Sequence, residues 1–172
     1  GRPLWERRLA REVGARFQTY EVGSSPVPTG YGLIVALNDV VALLDAASGA
    51  TRWATKLPRP IDKSAGSYAT PVPFSADEGE MLAFLGEDRL FVIAAGSGSV
   101  LASHPWLEST APFANVADPV ARAGLIVVSN GYRDECAALR FAGSALVVQW
   151  TSPMPRCHVS TPVVVGEYLY GI

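Results

Sequence analysis

One tripeptide pattern recurs along this sequence at a nearly fixed spacing, and a recurrence of that kind is the first thing to settle because it dictates architecture. Ser25-Pro26-Val27, Thr70-Pro71-Val72, Asp118-Pro119-Val120 and Thr161-Pro162-Val163 each set a short polar residue before a Pro-Val pair, at intervals of 45, 48 and 43 residues. A second marker keeps the same step. Gly1-Arg2-Pro3-Leu4-Trp5 and Gly49-Ala50-Thr51-Arg52-Trp53 share a Gly-x-x-x-Trp spacing, with the tryptophans 48 residues apart. Gly98-Ser99-Val100-Leu101-Ala102 keeps the spacing but puts Ala where Trp belongs, and Trp150 restores the Trp 48 residues further on.

Each repeat reads as four short strands. A first strand follows the Pro (Val27, Val163–Val165). A strongly apolar second strand follows a turn (Leu33–Leu37, Met81–Leu85, Leu125–Ser129, Tyr168–Ile172). A third comes next (Val40–Leu44, Leu90–Ala94, Ala137–Phe141), then a Gly-rich turn and a fourth (Ala50–Thr55, Ser99–Ser103, Leu146–Thr151). Runs this short, rich in Val, Ile and Leu and punctuated by Gly, are strand signals. Apolar runs reach six residues at most, at Leu90–Ala95, against the roughly 20 that a membrane-spanning helix needs. Ala42–Ala50 has some helical character, but Asp45, Ser48 and Gly49 favour a tight turn.

Four strands per unit of about 40–50 residues is the signature of a β-propeller blade, in which each sheet buries its faces against its neighbours. The expected fold is therefore all-β: four-stranded antiparallel blades in an incomplete ring of about 3.5–4 blades. The whole chain, 1–172, reads as a single partial propeller domain. Its approximate repeats are 1–23 (the end of a blade, with a strand at Leu4–Arg8), 24–57, 68–107, 116–152 and 159–172 (the start of a blade). Both ends fall inside patterned segments, so the sequence reads as an arc cut from a longer protein. An arc exposes sheet faces, which implies either a fragment or assembly with further copies.

Composition narrows function mainly by exclusion. With 14 basic and 16 acidic residues the chain lacks the basic stripe of a nucleic-acid binder. Cys136 and Cys157 are too few for a disulfide scaffold; they stand near the two ends of one blade and either pair or remain as buried thiols.

The segment Val41-Ala42-Leu43-Leu44-Asp45-Ala46-Ala47-Ser48-Gly49-Ala50-Thr51-Arg52-Trp53 resembles the pyrroloquinoline-quinone-type propeller repeat, Ala-x-Asp-x-x-(Thr/Ser)-Gly-x-x-x-Trp, with one extra residue between Ala42 and Asp45. In that repeat Asp45 and Ser48 cap a turn, Gly49 supplies a positive φ, and the tryptophans Trp5, Trp53 and Trp150 pack between blades. Ser160–Gly171 and the other Pro-Val segments resemble its first two strands. The second copy is eroded, with Ala95-Gly96-Ser97-Gly98 at the turn and Ala102 for Trp; the third has Phe141-Ala142-Gly143 and a longer turn before Trp150. Proteins with this repeat include quinone-dependent alcohol and sugar dehydrogenases and the propeller lipoprotein of the outer-membrane β-barrel assembly machine. The resemblance implies a bacterial protein, periplasmic, secreted or otherwise extracellular.

A quinoprotein dehydrogenase implies a vicinal Cys-Cys pair, a Trp floor and a calcium site of several convergent oxygens. The sequence has no adjacent Cys pair and no evident cofactor or metal set. Pyrroloquinoline quinone with calcium therefore belongs only to the alternative reading of a dehydrogenase fragment. Cys157-His158 reads as an inter-blade loop rather than a metal pair, His104 as a loop residue, and Asn130–Cys136 as a solvated hairpin turn. The junctions before each Pro-Val strand fall on one side of the ring. They bring Arg16, Tyr20, Lys63, Tyr68, Arg156 and His158 to one rim, which is the candidate binding face. The expectation is a non-catalytic propeller presenting a rim to a protein or small ligand. A sensor ectodomain of a larger membrane protein is a further alternative.

Overall fold

The computed structural model describes residues 1–16, 22–58, 66–77, 79–106, 114–133 and 135–172. Among these residues there is one helix, α1, Leu9–Glu12; the remaining elements are strands. The first blade has β1 Val27–Thr29, β2 Gly32–Leu37, β3 Val40–Leu44 and β4 Thr51–Lys56, in the order β1-β2-β3-β4. After β5 (Gly66–Ser67) comes the second: β6 Val72–Ala76, β7 Gly79–Leu85, β8 Arg89–Ala94 and β9 Val100–Pro105. After β10 (Ala114–Asn115) comes the third: β11 Val120–Arg122, β12 Leu125–Asn130, β13 Glu135–Ala142 and β14 Ala145–Ser152. A two-stranded start of a fourth follows, β15 Val163–Val165 and β16 Tyr168–Tyr170. Every pairing within these sheets is antiparallel between strands adjacent in sequence. Among the described residues no helix is long and apolar enough to cross a membrane.

The period-2 geometry of a strand decides which blade each side chain meets. In β3, Val41 and Leu43 pack toward the second blade with Leu82, Phe84, Phe91 and Ile93. Their neighbours Val40, Ala42 and Leu44 face the other way, onto Leu9 and the N-terminal segment. In β8, Leu90 and Val92 turn to the third blade, meeting Ile126, Val128, Ala137 and Leu139. Both faces of a central strand are thus buried, which is why these strands read as continuous apolar runs rather than alternating ones.

The tryptophan marker acts across the seams. Trp5 Nε1 donates to Ala46 O at 3.0 Å, and Trp53 Nε1 donates to Ala95 O at 3.1 Å. Each indole lies against the Gly of the next blade's turn. Gly49 and Gly98 have φ of +72° and +75°, and a Cβ on either would sit 2.6 Å from the ring. The Asp45 turn closes as expected, with Gly49 N donating to Asp45 O at 2.8 Å and Ser48 Oγ to Asp45 Oδ1 at 2.9 Å. The eroded second copy makes the same turn, Gly98 N donating to Ala94 O at 2.8 Å, so Gly rather than Asp carries the geometry.

Three sequence expectations are corrected. Leu4–Arg8 is not a strand: among the described residues no neighbouring strand pairs with it, and the segment leads into α1, with Arg7 paired to Glu12. The turn before Trp150 is not longer but a two-residue reversal, Gly143-Ser144; the added residues lengthen β13 and β14 through the pairs Phe141↔Leu146 and Ala142↔Ala145. Trp150 is 41% exposed and makes no such indole dock among the described residues. At the seam where Ala102 replaces Trp, Phe74 and Phe141 meet edge to face at 6.3 Å instead.

Candidate functional site

Strand order puts the β2–β3, β7–β8 and β12–β13 turns on the same face as the junctions that enter each new blade. On this face the polar residue before each proline finds its role. Proline removes its own N–H and holds the preceding residue extended, which leaves that residue's amide and side chain to reach sideways. Ser25 N donates to Thr70 Oγ1 at 3.1 Å, Thr70 N to Asp118 Oδ1 at 2.5 Å, and Asp118 N to Thr161 Oγ1 at 3.1 Å. Ser, Thr and Asp recur here because a short side-chain acceptor is needed. The four repeats are strung together by one belt of hydrogen bonds.

A buried polar layer backs the belt. Asn38 Nδ2 donates to Arg16 O at 3.0 Å while its Oδ1 accepts from Ser67 N at 3.2 Å, so one turn holds two junctions. β5 and β10 pair in parallel, and Tyr68 N donates to Asn115 O at 2.8 Å. Asn115 Nδ2 donates to Gly86 O at 2.7 Å, and Asn130 Nδ2 to Asn115 Oδ1 at 3.0 Å. Such layers fix geometry because each partner is costly to lose once buried.

Over this scaffold lies a depression of about 560 Å³. Ser25, Thr70, Asp118 and Thr161 contribute to it, and Tyr68, Tyr132 and His158 bring rings to its lining. The Tyr132 and His158 rings meet edge to face with centroids 3.9 Å apart. Gly66 lies so close to the Tyr68 ring that a Cβ there would stand 2.9 Å from it.

Of the six rim residues read from the sequence, Tyr68 and His158 come together here. Arg16 and Arg156 are exposed and do not line the depression; Arg16 serves through its backbone, its N–H donating to Asp39 Oδ1 at 3.0 Å. Tyr20 and Lys63 lie outside the described residues. Tyr132 was missed, because Asn130-Gly131-Tyr132 reads as a solvated turn. In fact Asn130 is buried and its Oδ1 accepts from Tyr132 N at 2.9 Å. His104 is likewise not in a loop but in β9. Cys136 and Cys157 are both free and buried, and burial pushes the Cys136 thiol up to about 11, with Cys157 adding to the rise.

Chemically the depression offers aromatic edges and hydroxyls, with the belt oxygens already accepting amides. Among the described residues no three of His, Cys, Asp and Glu gather as a metal site. Trp5 and Trp53 do not fit the floor of a quinone site, since each ring is covered by a neighbouring turn and each N–H is used.

Solved structures share this architecture. BamB from Moraxella catarrhalis is 21% identical with a TM-score of 0.61, over 87% of this chain and 45% of that one. The chain folds as part of a β-propeller. A mitotic checkpoint complex structure gives a TM-score of 0.57 at 17% identity, over 77% of this chain and 40% of that one. A europium-containing methanol dehydrogenase gives 0.53 at 14%, over 76% and 24%. This propeller chain thus spans less than half the length of each. No family model and no curated protein sequence matches it.

Proposed function

We propose that this chain is a stretch of a non-catalytic propeller scaffold whose junction face binds a protein or small ligand outside the cytoplasm. The observation that carries the reading is the depression lined by Tyr68, Tyr132 and His158 above a belt that fixes four successive repeats. A rigid polar backing with aromatic side chains on top is the usual make-up of a recognition surface. The similarity to BamB and to a checkpoint complex supports a scaffold role; the quinoprotein-type repeat at Asp45–Trp53 supports a location outside the cytoplasm.

The similarity to a methanol dehydrogenase favours one competing reading, a quinone-dependent dehydrogenase. The test uses the full-length protein in its source cells, with a photo-cross-linking residue at position 68 or 132, and at position 124 on the opposite face as control. Adducts formed from 68 and 132 but not from 124 support the proposal. Equal adducts from all three positions count against it. So does dye-linked oxidation of an alcohol or sugar after addition of pyrroloquinoline quinone and calcium.

A further inference from the structure

The two cysteines of the chain, Cys136 and Cys157, both end up in the seam between the third blade and the hairpin of β15 and β16. Cys136 lies in β13 on the face that carries Val127 and Ala138, with Leu169 of β16 packed against it. Cys157 Sγ lies under Gly171, where an added Cβ would stand 2.5 Å from the sulfur. Leu169 and Gly171 are two residues apart, so along an extended chain they face the same way. One edge of the hairpin therefore covers both cysteines, which are 1% and 0% exposed.

Ser129 brings the two together. It is the β12 partner of Cys136, which puts their Cα atoms about 4.5–5.5 Å apart with both side chains on one face. Its hydroxyl accepts from Cys157 N at 3.0 Å and donates to Pro155 O at 2.7 Å. The loop carrying Cys157 is thus pinned beside the residue that Cys136 opposes. The thiols also feel each other's charge: burial first, and then Cys157, raise the Cys136 thiol. A disulfide spans Cα atoms about 4.4–6.8 Å apart, the scale that a shared serine partner sets here.

We propose that Cys136 and Cys157 are a site of covalent modification, joining as a disulfide when the protein folds in the presence of a low-molecular-weight disulfide. One cysteine thiolate attacks that disulfide, and a mixed disulfide forms as the first small thiol leaves. The other cysteine thiolate then displaces the second small thiol. Two protons and two electrons leave the pair, the small disulfide is reduced to two thiols, and one S–S bond remains in the protein. The exchange takes place before the β15–β16 hairpin docks, because the docked hairpin covers both cysteines and a buried thiol presents little thiolate. The bond then ties β13 to the junction that enters the fourth blade. That junction carries His158, and the β12–β13 turn carries Tyr132, so the bond fixes these two rings against each other. It forms whether or not the junction face binds a ligand.

The test uses the full-length protein, unfolded and reduced, then refolded in mixtures of reduced and oxidised glutathione, with recovery of the native near-ultraviolet spectrum as the check on folding. Each sample is quenched with N-ethylmaleimide and mapped by mass spectrometry. The expected product is a pair of peptides joined through positions 136 and 157, two hydrogens lighter than the separate thiol peptides. Because the native seam favours the bond, refolded chain forms it in a mixture about tenfold or more richer in reduced glutathione than chain kept in concentrated urea. The proposal is overturned by refolded protein that carries maleimide at both positions in every mixture. A joined pair that forms no more readily in refolded chain than in urea overturns it equally.

Discussion

Gly98→Ala tests the inter-blade dock most directly, because its cost divides into two parts that the structure separates. The first is conformational. Gly98 has a φ of +75°, where an L residue is strained by about 1–2 kcal/mol. The second is steric. The new Cβ would stand 2.6 Å from Trp53 Cε3 and 2.7 Å from Thr55 Oγ1. Neither neighbour yields easily: the indole is held by its bond to Ala95 O, and the Thr55 hydroxyl donates to Gly98 O at 2.6 Å. Overpacking of this kind costs about 1–3 kcal/mol, for a total of about 2–5 kcal/mol. Gly166→Ala is the internal control. Its φ is +62°, but the added Cβ meets nothing within 4 Å, so only the conformational part of about 1–2 kcal/mol applies. Urea unfolding of the parent and both variants measures the difference. In a Trp53→Ala background the steric part of Gly98→Ala shrinks, giving a coupling of about 1 kcal/mol or more. If Gly98→Ala and Gly166→Ala cost the same within about 0.5 kcal/mol, or if no coupling to Trp53 appears, the dock is not a tight contact and the account given of the Gly-x-x-x-Trp marker is wrong.

Further perturbations probe the belt and the turn. Thr70→Val keeps the shape but removes the acceptor for Ser25 N, and should cost about 1 kcal/mol with about tenfold faster hydrogen exchange at the Ser25 amide; Asp118→Asn, which keeps an Oδ1 for Thr70 N, should stay close to the parent, while Asp118→Leu should not. The Asp45 carboxyl is held below its ordinary value of 3.8, chiefly by the Arg52 guanidinium and then by Ser48 N–H. Because its folded value is the lower one, the stability it adds is complete above about pH 4 and is lost as pH falls toward the lowered value; thermal melts from pH 5 to pH 2 should therefore show a shallower acid decline for Asp45→Asn than for the parent.

The strands were legible in the sequence because they are short, apolar and bounded by turn residues, and local signals of that sort survive without tertiary context. The polar residue before each proline was equally visible, but its purpose was not. Thr70 is matched to Ser25 across 45 residues and to Asp118 across 48; such a partnership exists only once the blades stand side by side. Leu4–Arg8 shows the converse. Its marker, Trp5, functions as the repeat predicts, yet the backbone around it is not a strand, since a strand is defined by a neighbour and a dock by a single side chain. At the rim, residue type alone marked Arg16 and Arg156, but exposure on the right face does not place a side chain in a depression. Tyr132 reaches it because a buried Asn130 fixes the turn that carries it.

The eroded repeat at Ala102 tells more about this chain than the intact one at Trp53. Where the marker is complete, the seam is closed by an indole on a glycine, and the surface there has a structural explanation. Where it is lost, the chain does not refill the space with an equivalent ring at the same point. Phe74 and Phe141 take over the contact, and Trp106 stands where the first blade has Leu57. A drift that merely relaxed packing would favour a smaller apolar residue at that place. Trading leucine for tryptophan instead adds bulk together with a buried donor that finds no acceptor among the described residues.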